Sequence, residues 1–480
     1  MLESIALTAP ELILSLGAIA LLMVAAFMGE RSVKLVSWLA VALLAAAGIS
    51  LLGPAGEGGD AFNGLFRADA FSAFAKVLIY LASAVAIIAA QGWFVRGGVH
   101  KPEYPILILL STAGAGMMVS ATDLMMLYVG LELQSLSSYV LASFQRRDER
   151  STEAGLKYFV LGALASGILL YGISLLYGFT GSTNFAAIFA AVGGVDGMSL
   201  GELFGLVFVM AGLAFKIAAV PFHMWTPDVY EGAPTPVTAL FATAQKVAAV
   251  ALLCRVAVEA LGPATDAWRQ IVIFSALASI VLGAVAAYGQ TNIKRLLAYS
   301  SINNIGFALI GLAAGTAEGI ASVLFYMAVY IAMTWGAFLV VMRMRDLDGQ
   351  SVEGVADLAG LSRTRPALAL AMAMFMLSLA GIPPLLGFMP KLAVFQAAVG
   401  AGLWPLALAG ALGSVIGAYY YLKIVKIMYF DDPAARFEPS RDGLGGGFIA
   451  AAAVFVSPAG YLALPALGAA SLVAARSLFF

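Results

Sequence analysis

The feature that most constrains this chain is a succession of apolar runs, each about as long as a bilayer is thick. A spanning helix needs about 20 mostly apolar residues. Such runs fall at 9–28, 33–53, 70–95, 104–121, 123–144, 153–179 and 201–220, then at 235–260, 268–290, 294–314, 318–343, 367–400, 404–429 and 447–475. The pattern predicts an all-α polytopic membrane protein of about fourteen transmembrane helices. The connecting loops are short, and none has the length or polarity of a soluble domain. Only 11% of the 480 residues are charged, against roughly 25% in a soluble domain.

Several function classes fall away at once. A net charge of -1 argues against a nucleic-acid partner. The single cysteine, Cys254, excludes a disulfide framework and a cysteine-ligated cluster on this chain. The two histidines, His100 and His223, are far apart in sequence and make a poor metal pair. No Lys or Arg precedes the first apolar run, so the chain lacks the basic start of a cleaved signal peptide and its first helix is expected to stay.

Lys and Arg accumulate in cytoplasmic loops. Of the 26 basic residues, fifteen lie in loops of one parity, from Arg31 to Arg441, with Lys423 and Lys426 at the same end of their helix. The other parity carries only Arg67, Arg269 and Arg476. This bias predicts both termini outside, on the non-cytoplasmic side of the membrane.

Six basic residues are claimed by no loop: Lys76, Lys157, Lys216, Lys246, Arg255 and Lys391. One acid, Glu132, lies near a helix midpoint. A charge at the bilayer centre costs about 2.5–3.5 kcal/mol even on lenient scales, so such groups face protein or water and mark function. Bland alternatives exist for some of them. Arg255 lies near a helix end and Lys76 six residues into its helix, and both are expected to snorkel to the surface. Lys157 follows Glu153 by four residues, the usual helix pair. Lys246 is too deep to snorkel, and Lys216 and Lys391 adjoin helix breaks. Glu132 has no ionic partner in its own helix, so its partner comes from another.

The first break is "PFHMWTPDVYEGAPTP", 221–236, whose four prolines remove backbone donors and clash with preceding turns. The second is "GIPPLLGFMPK", 381–391. Matching interruptions in two halves point to the inverted repeats of a transporter. Five helices over 101–262 would form one unit and five over 263–430 the other, inverted because five is odd. Residues 1–100 and 431–480 would flank them with three helices and one. In this reading two half-channels meet near the midplane. Lys246 bridges them, a Glu132–Lys216 ion pair gates the first, and Lys391 terminates the second. Asp228 and Glu231 cap or pair near the cytoplasmic mouth.

"KIAAVPFHMWTPDVYEGAPTPVTALFATAQKVA", "AYSSINNIGFALIGL" and "GIPPLLGFMPKLAVF" resemble three sequence blocks of the antiporter-like subunits of respiratory complex I, shared with multisubunit Na+/H+ antiporters. The "PDVYEGAPTPV" form is similar to the N branch of that family in bacterial NADH:quinone oxidoreductase. The resemblance spans essentially the whole chain. It implies a proton-translocating subunit of that enzyme, with Glu132, Lys216, Lys246 and Lys391 on the proton path and Lys157 and His223 as auxiliary members. It implies no cofactor on this chain: NADH oxidation, flavin, iron–sulfur clusters and quinone reduction belong to other subunits. The implied partners are further membrane subunits of the complex. The alternative is a subunit of a multisubunit cation/proton antiporter. One departure stands out, since relatives often have His where this chain has Asn304, and Asn takes no proton at ordinary pH.

Overall fold

The computed structural model describes residues 2–99, 101–194, 197–434, 437–438 and 442–479. His100, Arg436 and Arg441 lie outside the described residues.

The main helices run in chain order. The first six are α1 (Ala9–Met28), α2 (Val33–Ser50), α3 (Ala70–Arg96), α4 (Glu103–Ser120), α5 (Leu124–Ala142) and α6 (Glu149–Thr180). Then come α7 (Leu200–Ile217), α8 (Trp225–Gly232), α9 (Thr235–Ala242), α10 (Ala244–Arg255), α11 (Thr265–Tyr288) and α12 (Ile293–Ala313). The last are α13 (Ala317–Val341), α14 (Pro366–Ala380), α15 (Phe388–Gly400), α16 (Trp404–Phe430), α17 (Gly443–Val456) and α18 (Leu464–Arg476).

Among the described residues, twelve stretches are long and apolar enough to cross a membrane. The first, 9–50, is really α1 and α2, two helices folded against each other at Gly29. The short helices α14 and α15 share one further crossing. With these the described residues form fourteen candidate crossings, in line with the apolar runs.

Polar residues fix the helix starts. Asp69 and Ser72 form a capping box on α3, and Ser199 with Glu202 another on α7. Asp123, Asp148, Asn292 and Thr316 cap α5, α6, α12 and α13 through their side chains. Each satisfies backbone N–H groups that lipid would leave bare.

The helices α9, α10, α12 and α13 form the buried centre, and α1, α2, α16 and α18 lie outside. Loops of the two parities gather on opposite faces. One face brings Arg96, Asp148, Arg150, Glu231, Lys294, Arg345 and Glu353 around a cleft of about 330 Å³. The other joins a small hairpin, β1 (Gly59–Ala61) and β2 (Phe66–Ala68), to 121–123 and 182–184 through the bridges Phe66–Ala121 and Asp123–Asn184.

Some features escape the hydropathy pattern. The run expected over 235–260 is interrupted at Thr243 and ends in a π-turn, Val256–Ala260. Thr243 has no proline or glycine to announce it. Its hydroxyl turns back to the Ala239 carbonyl at 2.6 Å, a local bond of the kind that competes with regular helix. The last crossing is broken between α17 and α18 at Pro458.

Candidate functional site

The first break lies between α7 and α8. Its backbone groups, freed at membrane depth, need partners. The Trp225 indole N–H donates to the Phe215 carbonyl at 2.9 Å, and Ser279 Oγ accepts from the Val220 N–H at 2.9 Å. The Ile217 carbonyl, at the very end of α7, accepts from Lys246 Nζ at 2.6 Å. Lys246 is 1% exposed and sits one turn beyond the Thr243 interruption. The carbonyl end of a helix carries partial negative charge, so a buried ammonium there completes the hydrogen bonding and opposes the dipole together.

The second break, between α14 and α15, is satisfied in the same way. Lys391 Nζ donates to the carbonyl of Ala380, the last residue of α14, at 2.8 Å, and to Ser414 Oγ at 3.2 Å. Its ammonium also lies 4.5 Å from the centre of the Phe307 ring on α12. Ser378 Oγ accepts the Gly387 N–H at 3.0 Å. Each break thus ends in a carbonyl held by a buried lysine. For the first the lysine comes from the next crossing, and for the second from the other half of the same one.

Lys216 precedes the first break on α7. Its ammonium donates to Ser135 Oγ on α5 at 2.6 Å. Glu132 lies one turn before Ser135 and acts on Lys216 electrostatically. The expected Glu132–Lys216 ion pair is not formed: among the described residues no acid lies within 4.0 Å of Lys216, and Glu132 Oε1 is buried without a hydrogen-bond partner. The serine hydroxyl has taken the place of the carboxylate because it lies a turn nearer the ammonium. His223 stands in the break itself, half-buried, with no hydrogen-bond partner for Nδ1 among the described residues.

Lys157 is not buried, its side chain being 41% exposed. It pairs with Glu153 at 2.7 Å and with Asp228 on α8 at 2.8 Å. Asp228 also pairs with Arg295 at 2.6 Å, and Arg295 with Glu231 at 3.0 Å. Arg150 reaches Glu231 at 3.4 Å and Glu353 at 3.1 Å, and Glu353 reaches Lys294 at 2.9 Å. This network ties the extension of the first break to the start of α12. Burial pushes the Glu353 carboxyl up, but Lys294, Arg150 and Asn292 together hold it below the usual glutamate range.

From Lys294, α12 carries buried polar groups inward. Tyr326 donates to Asn304 Oδ1 at 2.7 Å, and Asn304 Nδ2 donates to the Ser300 carbonyl at 2.8 Å and the Tyr421 hydroxyl at 3.1 Å. Tyr330 donates to Ser301 at 3.0 Å. Asn304 lies one turn before Phe307, on which Lys391 rests. The cluster therefore leads from the charged cleft toward the second break without a titratable imidazole.

Two further expectations are overturned. Neither Lys76 nor Arg255 snorkels; both side chains are 0% exposed. Lys76 pairs with Glu11 of α1 at 2.7 Å. Arg255 holds both oxygens of Asp69 at 2.7–2.8 Å and Glu259 at 2.7 Å. Depth along a helix suggests snorkelling only if the side chain faces lipid, and both face acids at the first turn or cap of another segment. The spacing of Arg255 and Glu259 is the one local signal of this.

The profile of a family described as "NADH:quinone oxidoreductase/Mrp antiporter, TM" matches residues 121–417. The NADH-quinone oxidoreductase subunit N of Rhizorhabdus wittichii is 68% identical, with 100% of both chains covered. That of Sphingopyxis alaskensis is 58% identical, again over 100% of both. A chain of respiratory complex I from Thermus thermophilus with bound aureothin has a TM-score of 0.81 and 33% identity, over 95% of this chain and 99% of that one. A chain of the Mrp complex from Dietzia sp. DQ12-45-1b, at 23% identity and a TM-score of 0.85 over 100% of this chain and 98% of its own, shares the fold.

Proposed function

Because this chain belongs to the NADH-quinone oxidoreductase subunit N family, we propose that it carries protons through the lysines that close its two broken helices. It is an antiporter-like, multi-pass membrane subunit of bacterial complex I, and its partners are other membrane subunits of that complex. The full-length likeness to subunit N favours this over a cation/proton antiporter.

Residues 101–262 and 263–430 act as two inverted units, each with its break in the fourth crossing. The face bearing Arg150, Lys294 and Glu353 is cytoplasmic, on the strength of the Lys and Arg bias, and both termini are periplasmic. Lys216 and Glu132 load the first half-path, with His223 and Lys157 toward its mouth. Lys246 receives the proton at the centre, and the Asn304 cluster leads between the cytoplasmic cleft and Lys391. Asn304 holds water and hydroxyls in line rather than taking the proton itself. NADH oxidation, flavin, iron–sulfur clusters and quinone reduction lie on other subunits, so the driving energy reaches this chain through conformation or electrostatics. Buried lysines are poor ligands for a metal cation, which favours protons over sodium.

The observation that carries this reading is the contact of Lys246 with the open end of α7 at 2.6 Å. The test is proton pumping by the intact reconstituted complex bearing Lys246→Ala. The expected result is an assembled complex that has lost pumping. Undiminished pumping overturns the reading.

A further inference from the structure

We propose that a second exit leaves Lys246 through the N-terminal helices and opens at the Asp69–Arg255 cluster on the face opposite the charged cleft. This rests on the reading that Lys246 carries a proton.

The route begins beside Lys246. Gln245 Nε2 donates to Ser138 Oγ at 2.6 Å and to Ser111 Oγ on α4 at 3.5 Å. Thr112, next to Ser111, shares a hydrogen bond of 2.9 Å with Ser83 on α3. From there α3 carries a polar stripe. Asp69, Ser72, Lys76, Tyr80 and Ser83 recur at helical spacing on one face, and all are buried. The Tyr80 hydroxyl has no hydrogen-bond partner among the described residues and feels the Glu11 carboxylate. Lys76 and Glu11 hold each other at 2.7 Å and have no further hydrogen-bond partner among the described residues.

Space for the carboxylate is built in. A Cβ at Gly116 of α4 would stand 2.6 Å from Glu11 Oε1. Beyond Lys76, Ser72 bonds Asp69, and Asp69 holds Arg255. Glu259 bridges Arg255 to Arg67 at 2.7 and 3.6 Å. Arg67 meets Asp60, whose side chain is 50% exposed, so the stripe ends at solvent.

Stability does not account for this stripe. Charges in a membrane interior are costly, and a buried ion pair is often no more stabilising than apolar residues of the same volume. Proton transfer does account for it. The hydroxyls of Ser138, Ser111, Thr112, Ser83 and Tyr80, with water spanning the turns between them, each accept one proton and release another. Glu11 takes the proton as a neutral carboxyl and passes it to water beside Asp69, returning to the carboxylate. Lys76, 2.7 Å from the carboxylate, holds it in place between transfers.

The test uses the intact complex in proteoliposomes, measuring protons moved per NADH oxidised in assembled enzyme. Three variants are compared: Ser83→Ala with Thr112→Val, Glu11→Gln with Lys76→Met, and Lys246→Ala. The expected result is that the first two lower the proton yield by about the same fraction as each other, and by less than the third. If Lys246→Ala lowers the yield and Ser83→Ala/Thr112→Val leaves it unchanged, the second exit is overturned while the central role of Lys246 stands. If Lys246→Ala leaves the yield unchanged, the underlying reading fails as well. Should the Glu11/Lys76 variant not assemble, the hydroxyl variant decides alone.

Discussion

Lys391 donates its ammonium to the carbonyl of Ala380 across a helix break, at 2.8 Å. Lys246 does the same for Ile217 at 2.6 Å. Both helices end in a left-handed turn, at Ala218 and at Gly381, whose backbone N–H groups satisfy carbonyls of the last turn, and at each end the final carbonyl is taken by a buried lysine.

Lys246→Arg separates charge from proton release. Arginine keeps the cation at every accessible pH. The variant is expected to assemble and to oxidise NADH, yet to lose pumping measured with a pH-sensitive dye in proteoliposomes. A wild-type proton yield would mean that Lys246 is needed only as a fixed charge.

Gly381 takes a left-handed backbone, with φ of 80°, and a Cβ there would stand 2.7 Å from Lys391 Cδ. Gly381→Ala is expected to cost roughly 1–3 kcal/mol in strain and to push Lys391 off the Ala380 carbonyl. Gly167→Ala on α6 is the control, since nothing lies within 4 Å of its Cβ position. Thermal stability and pumping of the two purified complexes should diverge, with only Gly381→Ala impaired.

Arg255→Met would leave Asp69 and Glu259 buried without their cation. Breaking a buried pair in this way costs about 3–5 kcal/mol, so the yield of assembled complex should fall sharply. Arg255→Lys should restore only part of it, because one ammonium lacks the planar fork that spans both acids. Full rescue by lysine would show that charge alone suffices there.

Glu353 lies outside the spanning helices, and its neighbours hold its carboxyl below the usual range. A group with a depressed folded pKa contributes stability above its unfolded pKa, about 4.3 for glutamate, and that contribution is lost as pH falls through the lower folded value. Acidification below about pH 4.3 should therefore loosen the 345–353 loop, seen as faster amide hydrogen exchange. Glu353→Gln should exchange faster already at pH 7 and lose that acid-dependent step.

The crossings and both breaks were legible because they are written locally, in apolar run length and in proline and glycine. The residues at the breaks were legible for the same reason: Lys216, Lys246 and Lys391 are too deep for any loop to claim. What those residues touch was not. Lys246 meets a carbonyl 29 positions away, Lys216 a serine 81 away, and Arg255 an acid 186 away. Glu132 shows the limit well: its helix and depth pointed toward Lys216, yet a single turn of α5 decides that Ser135 makes the contact. Glu11 was missed because an acid in the first turn of a helix ordinarily favours the helix end, and only the packing of α1 on α4 and the pairing with Lys76 of α3 show it to be buried.

The lysine on the end of α7 joins two quantities that most proteins keep apart. The nitrogen that would hold the proton is also the clasp on a helix terminus, so occupancy and geometry share one bond. Linkage makes that relation reciprocal: whatever draws the helix end away from Lys246 changes its hold on the proton, and whatever removes the proton weakens the clasp by the same free energy. Such a chain would then work as a transducer, in which a neighbour's movement arrives as a mechanical displacement and leaves as a charge.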